Sequence, residues 1–363
     1  MNGLVFPLYN NGMKYYFLLP DLAAGGAERV SITIARLLRK NGFDVEFLNL
    51  GCAKGDMESW LVPEFKLTSF GYSRVLKALP KLKEFMKEHP EASFFSSLEH
   101  TNLIGLLSAT LAHRRMIVRI PNMPYNKLEH GFTGFKMQVV KAINRILLPR
   151  ASMILAQNVE MREQLLRYYS LPDDKVVVIN NPVDKDYVLK SAENSKNPFN
   201  NSEKVFLAAC TIDYRKGIDI LIDAWLKVKG QVNNAHLYII GRDTSVYAEE
   251  MKKKASGQKD ISFLGFQANP YPYLKYCDVF VLSSRMEGFP NVVLEAMCFN
   301  KPVASTTCVD VINEIIKPGV NGYTCGIEDS EALANAMVKA SKIQDIKNNY
   351  NMFHVEQLLN VFR

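Results

Sequence analysis

Short, nearly continuous apolar runs alternate along this chain with longer segments in which apolar residues recur every three or four positions. The first kind predicts strand and the second amphipathic helix. From the amino end, strands are predicted at Tyr15–Leu19 and Asp44–Leu50 with a helix at Ala27–Arg39 between them. A helix follows at Leu76–Glu88, then extended chain at Ser93–Ser97, a helix at Leu103–Ala112 and a strand at Met116–Ile120. Phe135–Leu148 and Val159–Tyr168 read as helices on either side of a strand at Ser152–Ala156, and Val176–Ile179 closes the series as a strand. Strands that are apolar on both faces and separated by helices belong to a parallel sheet covered on both sides.

The rhythm stops at Asp184–Lys204, which is polar, rich in Asn, Ser and Lys, and contains Pro198. Such a stretch predicts a linker. Beyond it the alternation restarts. Strands are expected at Val205–Cys210, His236–Ile240, Ile261–Phe263, Val279–Ser283 and Pro302–Ser305. Helices are expected at Ile218–Val228, Tyr247–Ala255, Pro270–Tyr276, Asn291–Phe299 and Glu331–Ile343. The predicted fold class is α/β: two Rossmann-like, doubly wound parallel-sheet domains facing a central cleft, with ligand bound off the carboxyl ends of the strands. The first domain covers residues 1–183, the linker 184–203 and the second domain 204–345. Residues 346–363 are expected to form a helix that packs back on the first domain, and residues 1–12 to be an upstream extension. A length of 363 residues suits two domains of roughly 150–200 residues each.

Composition narrows the partners. Hydrophobic residues make up 48% and charged residues 22%, which is ordinary for a globular chain. The formal charge of +7 favours anionic partners such as sugar nucleotides, lipid phosphates or a membrane surface. No interleaved basic and aromatic motif supports nucleic-acid binding. The cysteines (Cys52, Cys210, Cys277, Cys298, Cys308 and Cys325) show no metal-binding spacing and read as small buried hydrophobes in a reducing, cytoplasmic compartment. No apolar run reaches the roughly 18 residues of a membrane span. No phosphate-loop, dinucleotide or hydrolase-elbow motif occurs.

The segment from Asp278 to Met297 carries the most chemistry. A buried strand ends at Ser283, a loop containing Glu287, Gly288, Phe289 and Pro290 follows, and a helix starts near Asn291, a residue suited to capping it. The uncapped backbone N–H groups of a helix start favour phosphate, and Gly288 permits close backbone approach. Glu295, about one turn into the helix, can accept hydrogen bonds from a vicinal diol such as ribose. Glu287 can reach sugar hydroxyls. Two carboxylates beside an anion site fit a ligand that is part phosphate and part hydroxyl-rich.

This segment resembles the E-x7-E signature of retaining glycosyltransferase family 4, which has the GT-B fold, with Glu287 and Glu295 at its two glutamates. Other stretches agree in order: Gly25-Gly26-Ala27-Glu28-Arg29, Ile179-Asn180-Asn181-Pro182-Val183-Asp184, Lys216-Gly217 followed by Leu221-Ile222-Asp223-Ala224, Phe263-Leu264-Gly265, and Asn321-Gly322. The resemblance implies a transferase that moves a sugar from a nucleotide-sugar donor with retention of configuration. Glu295 would bind the donor ribose and Glu287 the transferred sugar. Phe289, Pro290 and Asn291 would hold sugar and diphosphate through backbone groups. Lys216 would neutralise the leaving diphosphate, Gly25 and Gly26 would approach the donor phosphates, and Leu264 would meet the base. One position departs from the pattern: the family arginine five residues before Lys216 is Thr211 here, and Arg215 is the candidate to replace it. The acceptor implied is a lipid-linked glycan or polysaccharide precursor, as in surface-polysaccharide and O-antigen assembly, with a UDP-linked N-acetylhexosamine as the expected donor. No cofactor and no metal are expected.

Three weaker signals complete the reading. His100, in Ser97-Leu98-Glu99-His100-Thr101-Asn102, is expected at the end of a strand beside the reacting sugar. Arg119 and Asn122 follow the next strand and are expected to face the acceptor. Basic amphipathic helices around Leu76–Lys87 and Phe135–Arg145 point to peripheral contact with an anionic membrane. Asp184-Lys185-Asp186 has the form of a metal-binding D-x-D, but lies at the domain junction. Two rival functions use the same residues: a sugar-nucleotide epimerase or hydrolase, and a non-catalytic nucleotide-binding partner subunit, for which Thr211 is the support.

Overall fold

A computed structural model describes residues 13–23, 25–52, 55, 57–124, 135–344, 346 and 354–363, with 59, 60, 135–138 and 140 described by backbone alone. The expected upstream extension, residues 1–12, lies outside them. The chain divides into two units: Met1–Pro182 with Met352–Arg363, and Val183–Asn351.

The first unit is built on seven parallel strands in the order β3-β2-β1-β4-β5-β6-β7. These are β1 Lys14–Leu19, β2 Asp44–Asn49, β3 Leu67–Ser69, β4 Ala92–Ser96, β5 Met116–Arg119, β6 Met153–Ala156 and β7 Val176–Val178. Alternate residues of β1 feed opposite faces, as the two-residue period of a strand requires. Tyr16 and Leu18 enter one core with Phe94, Met116 and Ile154. Tyr15, Phe17 and Leu19 enter the other with Phe47, Phe95 and Leu155. That second core also contains the carboxyl-terminal helix Val355–Phe362, whose Leu358, Leu359 and Phe362 are buried. The Phe362 ring lies 5.1 Å from Tyr15 and 5.6 Å from Phe95, and Arg115 Nη2 donates to the Val361 carbonyl at 2.7 Å.

The second unit has six parallel strands in the order β10-β9-β8-β11-β12-β13. They are β8 Lys204–Ala209, β9 Ala235–Ile240, β10 Ile261–Gly265, β11 Val279–Leu282, β12 Val303–Thr306 and β13 Gly322–Cys325. Trp225, on the helix Ile218–Val228, is fully buried and meets Phe206 edge-on at 5.3 Å. Two doubly wound parallel-sheet units are thus the architecture, as the alternation of runs requires. All six cysteines are free.

The expected linker is folded structure. It contains the helix Lys185–Lys190, capped by Asp184, whose Oδ1 accepts the Tyr187 N–H at 3.1 Å. The polar chain after it is held by donors from the second unit. Lys275 Nζ reaches the carbonyls of Ala192 and Glu193 at 2.8 and 3.0 Å, and Tyr276 Oη that of Ser195 at 2.7 Å. Its side chains are polar, but its backbone carbonyls are satisfied by partners some 80 positions downstream, which local composition does not reveal. Asp184, one half of the D-x-D, is spent on this cap.

Candidate functional site

In the second sheet β8 has β9 on one side and β11 on the other, so the chain reverses its winding direction between β8 and β11. At such a switch point the loops leaving the two strands part to opposite faces and leave a crevice at the carboxyl ends. Lys216 comes from the loop after β8 and Glu287 from the loop after β11. Lys216 Nζ and Glu287 Oε1 are 2.7 Å apart, and their side chains are 20% and 14% exposed. Two residues separated by 71 positions therefore form one half-buried ion pair.

The local sequence explains how. Lys216 ends a 3₁₀ turn, Tyr214–Lys216, opened by Asp213, whose Oδ1 accepts the Arg215 N–H at 2.9 Å. Gly217 then takes φ +60°, and a Cβ there would lie 2.1 Å from the Ser283 carbonyl oxygen, so only glycine fits. Ser283 Oγ donates to the Lys216 carbonyl at 2.8 Å, and Ser284 Oγ to Glu287 Oε1 at 2.7 Å. Burial pulls the Lys216 ammonium down, but the Glu287 charge and hydrogen bond outweigh it and leave the pKa raised. Lys216 is therefore a fixed cation at neutral pH. The sequence did not single out Ser283 or Ser284; their signal was their place at the end of an apolar strand.

Glu295 lies on the helix Asn291–Cys298 at the same end of the sheet, with Tyr271 Oη 3.5 Å from its Oε1, a long contact. Pro290 occupies the cap position and Asn291 is the first helical residue, so the expected asparagine cap is displaced by one. No side chain caps this helix. The Phe289 side chain is 5% exposed and belongs to the core, and Gly288 bridges the loop between it and Glu287. Leu264 sits near the end of β10. Arg215 is exposed, binds Asp213 through Nε and Nη2 at 3.2 and 2.7 Å, and lies within Coulombic reach of Glu287. Thr211 is exposed.

The first sheet has its own switch point, between β1 and β4. Gly25 precedes the helix Gly26–Lys40, which has no side-chain cap. A Cβ on Gly25 would meet only the carboxylate end of Glu28, at 2.3 Å, and one on Gly26 would touch nothing within 4 Å. His100 lies four positions past the end of β4, at the carboxyl end of the first sheet. The helix begins at Glu99 rather than Leu103, so His100 is an exposed residue of its first turn. Arg119 does not stand where it was expected. It is 3% exposed, and its guanidinium donates to Asn181 Oδ1 at 2.6 and 3.1 Å and to Ser97 Oγ at 3.0 Å. Burial holds its pKa below the usual value, partly offset by Glu28. It is a buried brace, and Asn181, from Ile179–Asp184, is its partner. Asn122 lies in the bend after β5, half-buried. Among the described residues no three His, Cys, Asp or Glu side chains converge as a metal site, and no helix is long and apolar enough to cross a membrane.

Comparison with known proteins agrees with this geometry. Residues 24–187 match the family model described as Glycosyltransferase Family 4, and residues 203–342 that described as Glycosyl transferases group 1. The chain is 25% identical over 311 residues, 81% of this chain and 80% of the other, to a Campylobacter jejuni transferase. That protein is the N-acetylgalactosamine-N,N'-diacetylbacillosaminyl-diphospho-undecaprenol 4-alpha-N-acetylgalactosaminyltransferase. It is 24% identical over 339 residues, 90% of this chain and 88% of the other, to a second alpha-1,4-N-acetyl-D-galactosaminyltransferase of the same organism. Among solved structures, Anabaena HepE in complex with UDP and glucose superposes with a TM-score of 0.76 at 20% identity, covering 96% of this chain and 98% of that one. The fold shared is GT-B.

Proposed function

Because the chain belongs to the glycosyltransferases, with a family 4 domain followed by a group 1 domain, we propose that it transfers a sugar from a UDP-linked donor, with retention, to a lipid-linked glycan. The observation that carries the reading is the Lys216–Glu287 pair at the β8/β11 switch point. A fixed cation there is suited to the leaving diphosphate, and the adjacent carboxylate to the hydroxyls of the transferred sugar. Glu295, one turn into an uncapped helix, takes the ribose diol, and the backbone of Gly288–Asn291 takes sugar and phosphate. In the transfer the bond from the anomeric carbon to the diphosphate oxygen breaks and a bond to the acceptor oxygen forms on the same face. The acceptor's hydroxyl proton passes to the departing diphosphate, so no protein nucleophile is required. Preorganised charge at the leaving group contributes on the order of 2–4 kcal/mol to such a step.

An N-acetylhexosamine as the transferred sugar and an undecaprenyl-diphosphate acceptor are supported by the Campylobacter relatives, and UDP by HepE. Peripheral attachment to an anionic membrane is supported by the exposed Val139, Ile143 and Ile146, which share a helix with Lys141 and Arg145. The first test is a thermal melt with UDP, GDP, ADP or CDP. A ligand at about 100 times its dissociation constant adds roughly 2.7 kcal/mol. UDP is expected to shift the wild type strongly and Glu295→Ala much less. No shift with any nucleotide at millimolar levels would overturn the donor-site reading and favour a non-catalytic subunit. Donor turnover without acceptor would favour the epimerase or hydrolase instead.

A further inference from the structure

An ion pair made by two loops is only as well placed as the loops, and one side chain joins them. Arg285, two positions before Glu287, has a side chain only 7% exposed. Its guanidinium binds Asp219 with Nη1 and Nη2 at 2.8 and 2.7 Å, and Glu328 with Nε and Nη2 at 2.5 and 3.1 Å. It lies 4.0 Å from the centre of the Tyr214 ring. Tyr247 Oη donates to Asp219 Oδ1 at 2.6 Å, fixing that carboxylate in turn.

The contacts that matter are to backbone. All three carbonyls of the turn that carries Lys216 are taken by the segment that carries Glu287. Tyr214 O accepts from Arg285 Nη1 at 2.7 Å, Arg215 O from the Arg285 N–H at 2.7 Å, and Lys216 O from Ser283 Oγ at 2.8 Å. Two of the three bonds come from Arg285. Glu328 adds an independent observation: it adopts φ +61°, a left-handed conformation that costs a residue with a Cβ and that glycine or asparagine would take more readily. A strained glutamate whose carboxylate rests on Arg285 is explained if that carboxylate is needed there.

We propose that Arg285 is a positioning residue for the donor site, clamping the Tyr214–Lys216 turn to the Glu287 loop, with Asp219 and Glu328 holding the clamp closed. The inference rests on the reading that Lys216 meets a nucleotide diphosphate. Arg285 itself touches neither member of the pair through its side chain. It acts by fixing where the Lys216 ammonium can stand.

The test is titration calorimetry with UDP as probe, beside denaturant melts, on the full chain. A hydrogen bond to a charged group contributes about 1.5–3 kcal/mol, so Arg285→Ala is expected to lose UDP affinity by roughly 10–100-fold, with methylguanidinium restoring about tenfold of it. Arg285→Lys, which keeps the charge but not the fork, should recover only part of the affinity. Since Arg285→Ala leaves Asp219 and Glu328 unpaired and lowers stability, Glu328→Gly is the cleaner variant. It relieves the φ strain, so its melt should stay at or above wild type, while its UDP affinity falls about three- to tenfold. Glu328→Gly and Arg285→Lys both binding UDP within twofold of wild type would reduce Arg285 to a structural ion pair and overturn the proposal. A wild type that ignores UDP, GDP, ADP and CDP alike would instead overturn the donor-site reading, and this inference with it.

Discussion

Glu287 has two partners in the free protein, Lys216 Nζ and Ser284 Oγ, each 2.7 Å from the same Oε1. A diphosphate arriving at Lys216 must share the ammonium with this carboxylate and also meets its charge. A hydrogen bond to a charged group is worth about 1.5–3 kcal/mol net, and releasing part of it returns about 1–2 kcal/mol to the incoming anion. Glu287→Gln, which keeps the shape and removes the charge, is therefore expected to bind UDP more tightly than wild type, by roughly 5–30-fold. The same variant should lose the turnover of the UDP-sugar, because the sugar hydroxyls lose their carboxylate. Lys216→Met should behave oppositely, weakening UDP and sugar nucleotide together. Calorimetry with UDP, followed by transfer assays with a panel of UDP-sugars, separates the two. If Glu287→Gln binds UDP more weakly than wild type, the carboxylate is not competing for Lys216, and the assignment of cation to phosphate and carboxylate to sugar is wrong.

Other consequences are more local. Gly217→Ala must leave φ +60° or push on the Ser283 carbonyl; it should cost at least about 1 kcal/mol in a urea melt and weaken UDP in proportion to the displacement of Lys216. Phe362→Ala opens the core against Tyr15, Phe17 and Phe95; a loss of about 3–5 kcal/mol is expected by denaturant unfolding, with the second unit's UDP response intact. For Asp219, burial raises the pKa but the Arg285 and Tyr247 hydrogen bonds outweigh it and bring it down to about 2. A carboxyl depressed on folding stabilises above its unfolded pKa of about 4, and that stabilisation is lost as pH falls toward about 2. Wild type should therefore shed up to about 2 kcal/mol across that window, and Asp219→Asn should shed less.

The strand and helix alternation was legible because buried parallel strands are apolar on both faces, and β1, β6, β8 and β11 follow it closely. Elements whose residues break that rule were not. β13, Gly322–Cys325, has glycine and threonine where an apolar run is expected, and β3 has three residues. The helix at Glu99 starts early because its first turn buries polar side chains, Thr101 and Asn102 at 0% and 4% exposure, against the usual sorting. At the site, Glu287, Glu295 and Lys216 were legible as residue types in a known order. Arg285 was not, because its carboxylate partners lie 66 and 43 positions away and nothing local distinguishes it from a surface arginine.

The two sheets solve the switch-point problem with similar parts and different results. Each central strand leads into paired serines, Ser96–Ser97 at the end of β4 and Ser283–Ser284 just after β11, all nearly inaccessible. In each, a serine hydroxyl reaches a carbonyl across the switch: Ser97 Oγ to Ala27 O at 3.4 Å, Ser283 Oγ to Lys216 O at 2.8 Å. Each also buries an arginine, Arg119 and Arg285, whose guanidinium is consumed by neighbours. Arg285 is held by the carboxylates of Asp219 and Glu328, whereas Arg119 is held by the neutral oxygens of Asn181 and Ser97. In the first unit no lysine follows, and the switch point presents the small residues Gly25 and Gly26. In the second, Lys216 stands half-buried beyond the arginine and Glu287 is its counter-charge.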